Sequence, residues 1–248
     1  MMPLYLTIDR GNTEAKITLW DGTILVDSMI CHDVTAAVLR DFIDGRDVPT
    51  AIYCSVARDS DRLPSALGEV VPKVLKLEHS LPLPIKIGYA TPSTLGVDRI
   101  AAAVGAWCDR PGSPVLVVDA GTAVTYDYVS ADGVFHGGNI APGISMQLEA
   151  LHRYTARLPR VPYPEHPVRD FGDRYMGWDT PSAITLGALY GIVGAIDYYR
   201  RRLGADTRVV LGGGCAHTVA PFCSFPVEVD EHLASKGLNR ILLYNEDK

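Results

Sequence analysis

From Leu4 the chain alternates apolar and polar positions as far as Ile8. It stops at Asp9, turns through Gly11-Asn12, and resumes alternation from Ala15 to Trp20. Period-two patterning on both sides of a turn predicts a β-hairpin. An Asp21-Gly22 pair then sets a second turn before a short strand over residues 23–26. The patterning continues with a helix over about residues 34–42, a strand over 50–54, and helices near 60–70 and 96–107. At residue 115 the opening recurs as an apolar strand, Asp119, Gly121-Thr122, a second strand, Asp132-Gly133 and a short strand over 134–136. Helices follow near residues 144–151 and 181–203, then a strand from Arg208 into Gly212-Gly213-Gly214, and a last helix over about 233–243. Residues 153–180 carry Pro159, Pro162, Pro164 and Pro167 with little periodicity, the pattern of a functional loop or lid.

Strands mixed with helices in both halves predict α/β sheets covered by helices. Asp119 and Gly121 stand where Asp9 and Gly11 stand in the first copy. Two copies a domain's length apart predict a duplicated fold with a nucleotide between its halves. The natural linker is 109–114, which gives an N-terminal half over 1–112 and a C-terminal half over 113–248.

Composition narrows the function. The 248 residues are 47% hydrophobic and 21% charged, a globular balance, and the net charge is -6. That charge argues against nucleic acid or an anionic membrane as the main partner, since both need a basic face. The longest apolar run, residues 184–196, falls short of the ~20 residues that span a bilayer. No charged segment followed by an apolar one opens the chain, so no secretion signal is read and a cytoplasmic location is expected. Five scattered cysteines, never in C-x-x-C, fit a reducing compartment better than a disulfide framework. Cys215 and His217 lack a second pair at metal-ligand spacing.

A tight turn after a strand points successive backbone N–H groups into one concavity, an anion nest. Glycine lets a phosphate approach, Thr or Asn adds donors, and Lys16 could add a point charge. An Asp at the lip suits phosphate only with a cation between them, because Mg²⁺ takes carboxylate and phosphate oxygens together. The same stretches are also ordinary hairpin turns, in which Gly and Asn tolerate positive φ. Gly212-Gly213-Gly214 is a third glycine turn where a nucleoside could lie, though C-caps and turns use glycine constantly.

The ordered set Asp9-x-Gly-Asn-Thr13, Gly96-Val97-Asp98-Arg99, Asp119-x-Gly-Thr-Ala123, Gly137-Gly-x-Ile-x-Pro-Gly143 and Thr180-x-x-Ala183-Ile184 closely resembles type III pantothenate kinase. That family belongs to the acetate and sugar kinase, heat-shock chaperone and actin superfamily. The resemblance covers nearly the whole chain. It implies duplicated ribonuclease-H-like (actin-like ATPase) halves with mixed sheets, a nucleotide cleft between them, and ATP-dependent phosphorylation of pantothenate in coenzyme A synthesis.

It further implies that Asp9, Arg10, Gly11, Asn12, Thr13, Glu14, Ala15 and Lys16 form the first phosphate loop and that Thr122 contacts ATP. Asp9 would meet Mg²⁺ through phosphate, Asp119 would bind a monovalent cation (K⁺ or NH₄⁺), and Asp98 would accept the proton. Tyr89, Gly96, Val97, Asp98, Arg99 and Thr180 would hold pantothenate. Homodimers are the family's state. One departure stands in the substrate loop. The family's Tyr-x-Asn-Pro is Tyr89-Ala90-Thr91-Pro92 here, and Thr cannot supply the amide's paired donor and acceptor.

The residues alone also admit plainer roles. Asp98 in a first helical turn complements the helix dipole, Arg99 suits a surface ion pair, and Tyr89 suits a core edge. A kinase acting on an alcohol nonetheless needs a carboxylate to orient and deprotonate the hydroxyl. Two other readings are an accessory transcriptional regulator of the same family and a different small-molecule kinase on the same scaffold. Intact Asp9, Asp98 and Asp119 favour catalysis.

Overall fold

The computed structural model describes residues 3–11, 14–56 and 62–246. Its strands are β1 (Tyr5–Arg10), β2 (Ala15–Asp21), β3 (Ile24–Cys31), β4 (Thr50–Ser55), β5 (Lys73–Lys76), β6 (Lys86–Ile87), β7 (Val115–Ala120), β8 (Ala123–Val129), β9 (Val134–Pro142), β10 (Arg208–Gly212) and β11 (Glu228–Val229). Its helices are α1 (Ala36–Ile43), α2 (Arg62–Gly68), α3 (Val97–Cys108), α4 (Ile144–Tyr154), α5 (Pro167–Phe171), α6 (Thr180–Leu203), α7 (Ala216–Val219) and α8 (Leu233–Glu246). The chain forms two compact units. One comprises residues 1–111, 133–135 and 232–248, and the other comprises 112–132 and 136–231.

In the first unit the sheet order is β3-β2-β1-β4-β5. β1, β2 and β3 are antiparallel neighbours, while β4 and β5 run parallel to β1. Leu6, Ile8, Ile17 and Leu19 are fully buried and join Leu39 of α1 and Leu67 of α2 in one core. The intervening positions are buried too. The hydroxyls of Thr7 and Thr18 meet at 2.5 Å, and Trp20 Nε1 donates to Thr18 Oγ1 at 2.8 Å. That network satisfies polar groups that would otherwise cost stability inside the unit.

The strand does not stop at Ile8. Asp9 and Arg10 remain in β1 because both neighbours keep pairing with them, Lys16 and Ala15 on one side and Cys54 and Ser55 on the other. The predicted start of α2 at residue 60, like Asn12 and Thr13, lies outside the described residues.

α3 and α8 pack with their backbones in contact at Gly105 and Gly237. A Cβ on Gly237 would stand 1.7 Å from the carbonyl oxygen of Ala101, and one on Gly105 would stand 2.3 Å from that of Leu233. Only glycine fits either position. α3 is buried along most of its length, so this contact sets where its N-terminal turn sits.

In the second unit the order is β9-β8-β7-β10-β11, with β8 antiparallel to β7 and with β10 parallel to both β7 and β11. This repeats the first unit's order strand for strand. β9 is longer than the predicted 134–136. It begins in the first unit, where Val134 and Phe135 pair with Lys86 and Ile87, and continues to Pro142. Its glycines extend the strand rather than end it. A Cβ on Gly138 would stand 2.1 Å from the carbonyl oxygen of Tyr126, so only a bare backbone can pass β8 there.

α6 starts where Asp179 and Ser182 form a capping box and ends at Gly204, with Arg200, Arg201 and Arg202 in its last turn. Ile184, Leu189, Ile192 and Ile196 of α6 pack on Leu116, Val118 and Leu211 of the sheet. Between α4 and α6 the proline-rich stretch holds only the short α5. No helix among the described residues is long and apolar enough to cross a membrane.

Candidate active site

Three neighbouring strands of the first unit place Lys16, Asp9 and Cys54 side by side in register. In-register partners project from the same face of a sheet. Cys54 Sγ donates to Asp9 Oδ1 at 3.3 Å. Loss of hydration raises the Asp9 carboxyl above its ordinary value. The Cys54 hydrogen bond lowers it, the charge of Asp98 raises it and that of Lys16 lowers it. Burial likewise holds Cys54 as a thiol, pushed well above the usual range. Gly11 N–H donates to the Glu14 carbonyl at 3.0 Å, and Arg10 Nη1 donates to the His32 carbonyl at 2.6 Å. Asn12 and Thr13 lie outside the described residues.

Asp98, remote in sequence, comes within electrostatic reach of Asp9 and Cys54. It sits in the first turn of α3, where Gly96 offers no capping side chain and Asp98 Oδ1 accepts from Arg99 N–H at 2.9 Å. A Cβ on Gly96 would stand 2.4 Å from that oxygen, so the glycine makes room for the carboxylate.

Arg99 is 7% exposed rather than a surface cation. Its guanidinium lies 5.9 Å from the ring centres of both Tyr89 and Phe135, and these two rings meet edge-on at 6.2 Å. Thr91, at the family's Asn position, bonds through its hydroxyl to Thr94 Oγ1 at 2.8 Å and braces the short 3-10 turn there. Val97 opens α3 beside Gly96.

In the second unit Asp119, one residue before the end of β7, pairs with Thr125 of β8 and Gly212 of β10. Gly121 N–H donates to the Ala123 carbonyl at 3.0 Å, and the Thr122 carbonyl accepts from Gly143 N–H at 3.0 Å. The glycine turn lies against this corner. Gly213 has φ +83°, and a Cβ there would stand 2.3 Å from Asp119 Oδ1; Cys215 N–H donates to the Ala120 carbonyl at 2.8 Å. Thr180 begins α6 and lines a groove of about 690 Å³ with Gln147, Leu151, Leu158, Trp178 and Gly187.

The structure thus brings Asp9, Lys16 and Asp98 within electrostatic reach in the first unit, sets Arg99 against Tyr89 there, and sets Asp119 against the glycine turn in the second. Sequence reading missed Cys54, Phe135 and Thr125. Thr125 was within reach, because counting the turn's length pairs it with Asp119. Cys54 and Phe135 carry no local signal.

Two units of one strand order, each with an Asp one residue before the end of its first strand, define the actin-like ATPase fold. A Campylobacter jejuni structure described as a candidate Baf family transcriptional activator superposes with a TM-score of 0.65 at 21% identity, covering 98% of this chain and 100% of that one. The activator of 2-hydroxyisocaproyl-CoA dehydratase from Clostridium difficile, solved with ADPNP, gives 0.54 at 13% identity over 100% of this chain and 95% of that one. The type III pantothenate kinase family model matches residues 5–202. A type III pantothenate kinase of Azobacteroides pseudotrichonymphae is 36% identical over 248 residues, 98% of each chain. This chain belongs to the type III pantothenate kinase family.

Proposed function

We propose that this chain transfers the γ-phosphoryl group of ATP to the 4′-hydroxyl of pantothenate, giving 4′-phosphopantothenate and ADP for coenzyme A synthesis. The observation that carries the reading is that Asp98 and Lys16 both lie within electrostatic reach of Asp9 in one unit of a chain of this family. Asp98 accepts the proton as the hydroxyl oxygen bonds to phosphorus and the ADP oxygen leaves. Arg99 and Tyr89 hold pantothenate with Gly96, Val97 and Thr180. Residues 9–16 and Thr122 contact ATP phosphates.

The acidic pair fits a divalent cation, because burial and the second carboxylate both resist charge on Asp9. Mg²⁺ bound there with phosphate would neutralise developing charge on the transferred group. A coupled ADP-release assay comparing pantothenate with sugars tests the reaction. Release with a sugar and none with pantothenate would assign a different kinase.

Asp119 is the proposed ligand of a monovalent cation. Its cross-strand partner Thr125 carries a buried Oγ1 with no hydrogen-bond partner among the described residues, an orphan that a cation would satisfy. Turnover is expected to be several-fold or more higher in K⁺ or NH₄⁺ than in Na⁺ or Tris. Equal rates in all four would remove this role.

The chain is further proposed to act as a homodimer through α6. Helical spacing alone suggests a stripe of Ile184, Ala188, Gly191 and Ala195, but Ile184 and Ala188 lie in their own unit's core. The exposed stripe is Ala183, Gly187, Gly191 and Gly194, where side chains on Gly187 and Gly194 would meet open space. Each Gly costs helix propensity by about 1 kcal/mol relative to Ala, and close approach of a symmetric copy would offset that. Gly191→Leu is expected to yield a monomer at micromolar concentration by light scattering, with reduced activity. A dimeric, fully active variant would place the interface elsewhere, and a monomeric wild type would remove it.

A further inference from the structure

Resting on the kinase reading above, we propose that Cys54 is a positioning residue for Asp9: its thiol holds the carboxylate in the orientation that meets the nucleotide's divalent cation. Cys54 ends the buried part of β4 and is 1% exposed. Its register partner across the parallel pair is Asp9, and its S–H donates to Oδ1 at 3.3 Å. The β1–β4 ladder continues one residue further, with Arg10 paired to Ser55.

The duplication supplies an internal comparison. The position equivalent to Cys54 in the second unit is Gly212, paired with Asp119 in the same way. There the carboxylate packs against bare backbone, since a Cβ on Gly213 would stand 2.3 Å from Asp119 Oδ1. The first copy therefore carries a thiol where the second carries a glycine. The two acidic residues face different tasks. Asp9 has the charge of Asp98 nearby and must keep one oxygen orientation against that repulsion. A donor on one oxygen fixes the carboxylate's rotation, whereas a methyl group of similar size would fill the space without fixing it.

The test uses the full-length protein with Cys54→Ser, Cys54→Val and Cys54→Ala. Titration calorimetry would compare ADP binding with Mg²⁺ and with EDTA, alongside steady-state constants for MgATP and pantothenate. Ser keeps a donor and is expected to stay within about threefold of wild type. Val and Ala should lose about fivefold to tenfold of the Mg²⁺-dependent affinity, raise KM for MgATP, and leave KM for pantothenate and binding in EDTA nearly unchanged. If Ala does not fold, Val decides. Val binding MgADP like wild type, or Ser losing as much as Val, would overturn the proposal, as would equal loss with and without Mg²⁺. If neither Val nor Ala folds while Ser matches wild type, the thiol serves the core alone and the proposal falls. A wild type that shows no Mg²⁺-dependent nucleotide affinity and no turnover of pantothenate would overturn the kinase reading itself, whatever the variants do.

Discussion

Asp98→Asn is expected to lower turnover by ~10²-fold or more, the usual contribution of a general base, while the fold survives. The amide oxygen can still accept from Arg99 N–H, the bond that Asp98 Oδ1 makes at 2.9 Å, so the helix start keeps its geometry. The amide cannot take the hydroxyl proton. KM for pantothenate should therefore move far less than kcat, and the urea midpoint should stay close to wild type. The competing role, a carboxylate complementing the α3 dipole, is worth under about 1 kcal/mol and touches stability rather than rate. A folded variant with near-wild-type turnover would leave Asp98 only that role.

Gly237→Ala is expected to destabilise the protein by ~3 kcal/mol or more, in the range of severe backbone clashes and overpacking. Helix propensity alone predicts the opposite sign, a gain of about 1 kcal/mol for Ala over Gly. Sterics decide it. The new methyl would stand 1.7 Å from the Ala101 carbonyl oxygen and 2.9 Å from the Gly105 nitrogen, both backbone atoms that cannot rotate away. α3 and α8 would have to separate, opening the contact around Ile100, Val104, Leu238 and Ile241, all buried. Because α3 carries Asp98 and Arg99, turnover per folded molecule should fall as well. Gly68→Ala is the control, as a Cβ there meets nothing within 4 Å, and its effect should be a gain of under ~1 kcal/mol. Urea denaturation of both variants checks the pair. A Gly237→Ala protein as stable as wild type would show that the helices tolerate a wider spacing.

The elements with strong periodicity were legible one by one. The hairpin around Gly11, the strand over β4, and helices α3, α4 and α6 stand where alternation, capping residues and turn glycines put them, within a few residues. Their ends were less so. β1 extends through Asp9 and Arg10 because two partner strands keep pairing, and pairing is not written in the strand's own residues. β5, β6 and β11 are two to four residues long and pass below any periodic signal.

By itself the sequence determined the α/β class, the repeated strand–Asp–turn–strand unit, and the residues that link the chain to type III pantothenate kinases. Those features depend on spacing along the chain, and spacing survives without coordinates. Tertiary structure alone decided that α8 packs on α3 through two glycines, that Arg99 is buried against Tyr89 and Phe135, and that Cys54 reaches Asp9. It also brought Asp98 within reach of Asp9. Each of those joins residues far apart in sequence. Local propensity says which face an element turns inward, but the partner it meets there is chosen by packing the whole unit, where backbone contact, burial and charge act together.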